Sequence, residues 1–197
     1  LFVDMRSLDV RYAKVPEGIA VVLCDTQARH DLATSAYNDR RAECESAAAS
    51  LGVAALRDAT LDDLLAKQDD MDPIAFRRAR HVITENTRCQ SFFWALEDNN
   101  ELRIGLLMRA SHESLREDFE CTSRELDEMA EACWVAPGCI GARMTGGGFG
   151  GSCVALVREP SLEVFQRSVA NRYTARTELQ PEFLVCQAAD GVHLFVP

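Results

Sequence analysis

Residues 139–157 read Cys139-Ile140-Gly141-Ala142-Arg143-Met144-Thr145-Gly146-Gly147-Gly148-Phe149-Gly150-Gly151-Ser152-Cys153-Val154-Ala155-Leu156-Val157. Two short strand-like runs, Cys139 to Met144 and Cys153 to Val157, flank a glycine-rich connection. Working outward, the residues before Pro137 carry helical patterns over Ile74 to Leu96, Leu102 to Leu115 and Ser123 to Cys133. In the last of these, Ser123 and the acidic residues Glu125 and Asp127 precede Met129 and Ala130. Further upstream, Leu32 to Leu51 is rich in helix formers, presents a charged outer face and ends at Gly52. A shorter helix is expected from Thr60, with Asp62 and Asp63 at its positive end. Ile19 to Cys24 reads as a buried strand after the turn Pro16-Glu17-Gly18. Downstream, Pro160 to about Ala175 is helical, Pro181 to Cys186 is a strand, and His193 to Val196 is expected as a final edge strand. The order β, helix-rich middle, β-loop-β, α, β predicts an α+β domain with helices packed on an antiparallel sheet.

Composition narrows the function classes. The 197 residues are 47% apolar and 26% charged, enough for a sizeable core. Lys and Arg number 21 against 31 Asp and Glu, a net charge of −10, which argues against a broad grip on nucleic acid or an anionic membrane. No apolar run approaches the roughly 18–20 residues of a bilayer span, and no signal peptide is evident, so a soluble cytoplasmic protein is expected. The sequence opens on Leu1, inside the strand-like run Leu1-Phe2-Val3, and is expected to be a piece of something longer.

The eight cysteines are scattered without a CxxC pair. They read as free thiols, mostly small core residues, and no metal site is indicated. The histidines lack HxxxH or HExxH spacing; His81, His112 and His193 are expected in surface or capping roles.

Six of the eleven glycines fall between 141 and 151. Clustered glycine makes positive φ cheap and lets backbone amides approach a ligand or another chain. Thr145 to Gly151 is thus either an anion cradle or a tight packing loop. It is not a Walker A loop, having no GK[ST] and no helix after it, and it is not a GxGxxG opening a Rossmann helix.

The full string from Gly141 to Gly151, GARMTGGGFGG, closely resembles the third signature motif of the GHMP small-molecule kinases, in its galactokinase form. Four further segments resemble galactokinase segments in the same order. Asp4-Met5-Arg6-Ser7-Leu8 is similar to a DCRSL string, with Met5 where Cys is usual. His30 to Glu45, HDLATSAYNDRRAECE, is similar to the family's S-E-Y-N-x-R-R helix, with Ala36 replacing Glu. Arg80 to Asn86 and Ser111 to Glu120 complete the set.

The resemblance implies a GHMP kinase C-terminal domain with a ferredoxin-like core and extra helices over residues 32–197, preceded by the last strands of the N-terminal domain over 1–31. It implies a parent enzyme, a sugar kinase of galactose metabolism, that transfers the γ-phosphoryl group of ATP, with Mg2+, to the C1 hydroxyl of galactose. The family's sugar-binding motif, ATP phosphate loop and catalytic Asp and Arg have no counterpart in Leu1 to Pro197, so no catalytic residue is carried over, and the chain alone is expected to be inactive. Its principal partner would be the missing N-terminal domain. By the same resemblance Tyr37 faces the galactose and Arg29 lies near the nucleotide phosphates. The loop Thr145, Gly146, Gly147, Gly148, Phe149, Gly150 and Gly151 lines the cleft. The alternatives are a galactokinase-like sensor that binds sugar and nucleotide to contact a regulatory protein without catalysis, and a stand-alone interaction domain.

Overall fold

The continuous apolar run at residues 19–24 is what a strand covered on both faces requires, and it becomes one of the two inner strands of the main sheet. The computed structural model describes residues 1–28 and 33–187. A two-stranded hairpin, β1 (Phe2–Val3) and β2 (Val10–Arg11), precedes β3 (Ile19–Asp25). Helices α1 (Ala33–Leu51), α2 (Leu61–Leu65), α3 (Pro73–Glu97), α4 (Glu101–Ser114) and α5 (Arg124–Trp134) follow. Then come β4 (Cys139–Thr145), β5 (Ser152–Arg158), α6 (Leu162–Thr177) and β6 (Glu182–Cys186). The larger sheet has the order β4-β5-β3-β6 and is antiparallel throughout. Strand, helices, two strands, helix, strand in that order is the split βαβ arrangement of ferredoxin-like domains, enlarged by helices between β3 and β4. The α+β expectation therefore holds. The strand expected at His193 to Val196 lies outside the described residues.

Side-chain alternation divides the sheet between two cores. Ala20, Val22, Cys24, Ala142, Met144, Cys153, Ala155 and Val157 point to one face, where Leu126, Met129, Cys133, Phe165 and Tyr173 of α5 and α6 cover them. Ile19, Leu156, Val154 and Ile140 point to the other, against Ala95, Ile104 and Met108 of α3 and α4. A third cluster, with Ala47, Leu64, Ala75, Ala79 and Ile83, joins α1, α2 and α3 away from the sheet.

Local signals explain the helix starts. Thr60 and Asp63 form a reciprocal capping box, Asp72 accepts from the amides of Ile74 and Ala75 ahead of Pro73, and Ser123 accepts from Leu126. A division at residue 31 would group Ile19–Asp25 with the residues before it, but this strand pairs with β5 on one side and β6 on the other. It belongs to the same sheet as the later strands.

The eight cysteines are free, and Cys24, Cys121, Cys133 and Cys153 are buried. Burial pushes the Cys121 thiol up to about 11 and the Cys139 thiol up to about 12. These two are uncharged, unreactive thiols at neutral pH.

Candidate functional site

The glycine loop hangs from the end of β4, so what fixes that strand fixes the loop's origin. β4 is an edge strand, and side chains cover its outer edge. The buried His112 of α4 accepts from the Met144 amide at Nδ1 (3.0 Å), and its Nε2 faces Asp127 Oδ1 at 3.1 Å. Because the Met144 N–H already occupies Nδ1, the ring proton sits on Nε2 and is donated to Asp127. Two residues along, the Trp134 indole N–H donates to the Ala142 carbonyl at 2.9 Å, and its ring meets that of His112 edge-on. Gly105, two turns before His112, lets α4 press against the Ile140 carbonyl: a Cβ there would lie 2.1 Å from that oxygen. The surface or capping role expected for His112 is thus corrected. The same correction applies to His81, which is buried and hydrogen-bonded through Nδ1 to Ser114 at 2.9 Å. In both cases the partner lies far away in sequence.

Arg143, between those two edge contacts, points the other way. Its Nη1 donates to Glu85 (3.2 Å) and Ser111 (2.9 Å). Burial opposes the Glu85 carboxylate, but the Ser111 hydroxyl and the Arg88 and Arg143 guanidinium groups outweigh it and hold its pKa below the usual value. This polar group lines a cavity of about 390 Å3 together with, among others, Phe2, Phe92, Met108, Leu156 and Thr145.

Beyond Thr145 the loop has two unlike halves. Gly146 and Gly147 have nothing within 4 Å of where a side chain would begin. Gly148, at φ +83°, is seated: a Cβ there would lie 2.1 Å from the Cys121 carbonyl, and the next amide, Phe149, donates to that same oxygen at 2.7 Å. The loop then returns past Thr26, whose amide and hydroxyl both donate to the Gly151 carbonyl (3.0 and 2.5 Å).

Helix α1 reaches this region through Arg40. Its guanidinium lies 5.9 Å from the Phe149 ring centroid and donates to the Phe119 and Glu120 carbonyls at 2.6 and 2.9 Å. Tyr37, one turn earlier, is 61% exposed, which excludes a role as a buried packing tyrosine. Thr145 to Gly151, Thr26 and Arg40 of α1 are therefore brought to one region. Arg29 lies outside the described residues. Among the described residues no group of His, Cys, Asp and Glu is placed to hold a metal ion.

Reading for apolar periodicity missed Arg40, Arg78 and His112. Arg78 had a usable signal: with Ala75, Ala79 and Val82 it occupies i, i+3, i+4, i+7 positions on the buried stripe of α3, where an arginine is tolerated only if fully paired.

Residues 92–175 match the family model described as GHMP kinases C terminal. The chain is 42% identical to a galactokinase of Actinobacillus pleuropneumoniae, over 98% of its own length and 52% of that protein's. It is 40% identical to a galactokinase of Haemophilus influenzae over the same shares of the two proteins. Its fold superposes on the crystal structure of Lactococcus lactis galactokinase complexed with galactose at a TM-score of 0.91 and 32% identity, covering 96% of this chain and 50% of that one. A mevalonate kinase from L. major shares the fold at a TM-score of 0.52 and 17% identity. The chain spans about half the length of the curated relatives it matches. By sequence and by fold, residues 92–175 are similar to the C-terminal domain of GHMP kinases, and nearly the whole chain is similar to about half of a galactokinase.

Proposed function

We propose that this chain forms one wall of the active cleft of an ATP-dependent galactokinase, a cytoplasmic enzyme whose parent transfers the γ-phosphoryl group of MgATP to the C1 hydroxyl of galactose. One observation carries this: the open half of the glycine loop offers backbone unobstructed by side chains where a bound partner can approach closely, while Arg40, one turn after the exposed Tyr37, lies against Phe149 of the same loop. Such a reaction passes through a loose transition state, so positioning and electrostatics dominate it. In this reading the Tyr37 phenol hydrogen-bonds a sugar hydroxyl, and Arg29 sits near the nucleotide phosphates. Thr145 to Gly151 supports the nucleotide site as a wall.

MgATP supplies the electrophilic phosphorus. The open backbone at Gly146 and Gly147 suits a neighbouring phosphate loop. The described residues contain no cluster fit for Mg2+, and we assign its ligands to the remainder of the parent. That remainder would dock on the N-terminal hairpin, where Leu1, Met5, Leu8, Val10, Tyr12 and Val15 expose large apolar side chains within fifteen residues. The boundary between the parent's two domains then falls before Ile19, not at residue 31.

The test compares the chain alone with the full-length parent. Galactose 1-phosphate is expected from the parent with MgATP and not from residues 1–197. Tyr37→Phe in the parent should raise KM for galactose roughly tenfold, the effect of one lost hydrogen bond to substrate. A parent that binds galactose but makes no product would sink the enzyme reading.

A further inference from the structure

We propose that Arg40 and Arg78 are positioning residues that set the glycine loop relative to the helix carrying Tyr37. The proposal starts from a sequence of four carbonyls. After α4 the chain makes a widened helical turn, Leu115–Phe119, and then reverses at Glu120, which sits in the left-handed region at φ 51°. Three successive carbonyl oxygens at this reversal are each taken by a guanidinium. Arg78 Nη1 donates to Asp118 (2.6 Å), Arg40 Nε to Phe119 (2.6 Å) and Arg40 Nη2 to Glu120 (2.9 Å). The next carbonyl, that of Cys121, holds the Phe149 amide and presses on Gly148.

Peptide planes are rigid, so fixing the third carbonyl also fixes the Cys121 amide, which donates to the Leu115 carbonyl at 3.1 Å, and only the two torsions of the buried Cys121 separate that plane from the fourth carbonyl. The loop's seat is therefore aimed by the two arginines, neither of which touches its backbone.

The rest of the cluster keeps the arginines themselves in place. Glu43 accepts from both, at 3.1 Å from Arg40 Nη1 and 2.7 Å from Arg78 Nε, and the Glu120 carboxylate accepts from Arg78 Nη2 at 2.6 Å. Arg77 adds a further contact to Glu120, and Arg80 pairs with Asp118. Arg78 is only 2% exposed. The burial of Arg78 makes its ion pairs weak evidence for stability, since desolvation offsets much of the attraction. A planar fork with donors in fixed directions is well suited to holding several acceptors at set angles, which lysine cannot do. Arg40 belongs to α1, one turn after Tyr37, so the same side chain ties the proposed sugar-binding helix to the loop.

The inference deepens the kinase reading and rests on it for its functional half. Its structural half is tested without any activity, by amide hydrogen exchange in the 197-residue chain. Arg40→Lys keeps the charge and removes the fork. Exchange at the Phe149 amide should quicken at least about tenfold, while Ala155 and Val157 in the sheet keep their rates. Equal acceleration at all three sites would mean general loosening and would overturn the proposal, as would an unchanged Phe149. Glu120→Gly, which retains the left-handed bend but frees Arg78 Nη2, should move Phe149 in the same direction by less. Arg41→Met, whose guanidinium among the described residues pairs with the exposed Glu45 one turn on, is the silent control.

In the full-length parent, Arg40→Lys should lower kcat roughly 10–100-fold with both KM values within about twofold, the signature of misplaced rather than lost contacts. A loosened Phe149 with unchanged kcat overturns the positioning role. A wild-type parent without kinase activity defeats the function proposed above, and the exchange experiment still decides the clamp.

Discussion

Gly147 and Gly148 are neighbours of the same residue type, yet the fold needs them for opposite reasons. Gly148 is glycine because the chain is in the left-handed region and the Cys121 carbonyl occupies the space of a side chain. Gly147 has ordinary backbone angles and open space, so nothing within the described residues requires it to lack a Cβ. A glycine that its own fold does not demand points to a demand from outside the chain. The loop is thus divided into a seated half that belongs to this domain and an open half available to something that approaches it.

The hardest blow to that division is Gly148→Ala. The new methyl would meet the Cys121 oxygen at 2.1 Å, and relief requires giving up the Phe149 amide bond to the same atom. Backbone strain and a lost buried hydrogen bond together should destabilise the chain by about 3 kcal/mol, or a fall in melting temperature of roughly 6–12 °C. A melting curve that matches wild type would show that the seat is not rigid.

Acid should loosen the same seat more gradually. Burial draws the pKa of His81 from 6.5 down to about 4. Its ring stacks against Phe119 at 4.7 Å, and its Ser114 partner also donates to Asp118, the first residue of the carbonyl series. With the folded pKa depressed, the unfolded chain takes up the proton first. Stability is therefore lost as pH falls from about 6.5 to about 4 and changes no further through this group below that. The full loss is on the order of 3 kcal/mol. Subtracting the urea-unfolding profile of His81→Gln from that of wild type isolates the effect, and a flat difference between pH 7 and 4 would show that His81 is not held neutral.

The sequence made some of this legible and not the rest, for physical reasons. Local signals with short reach were readable: the N-caps at Thr60 and Ser123, the two strands around the glycines, and the glycine run itself. The charged side of α1 was misleading. Arg40 and Glu43 look like a solvated face, but they turn toward α3 and the bend after α4, because Arg78 there supplies the matching buried charge. His81 and His112 failed in the same way, since polarity on a helix reads as surface until the partner is known. Their partners, Ser114, Asp127 and the Met144 amide, lie between 15 and 33 residues away. Glu120 in the left-handed region is similarly invisible, being a residue type that rarely goes there.

The smallest expected change in stability tests the open half. Gly147→Ala should alter unfolding by no more than about 0.5 kcal/mol, since the methyl enters open space at a permitted backbone angle. Gly147→Asp should be nearly as quiet in the isolated chain, where the carboxylate can turn to solvent. In the full-length parent the same aspartate would put bulk and negative charge where the loop is proposed to meet a phosphate-binding segment, and sugar phosphorylation should fall sharply. The contrast between the two measurements carries the argument. Gly148→Ala must register in both, because it breaks the domain before it reaches the cleft, whereas Gly147→Asp must register only in turnover. Unchanged kinetics for Gly147→Asp would remove the loop from the mechanism and leave its open glycines without a functional cause.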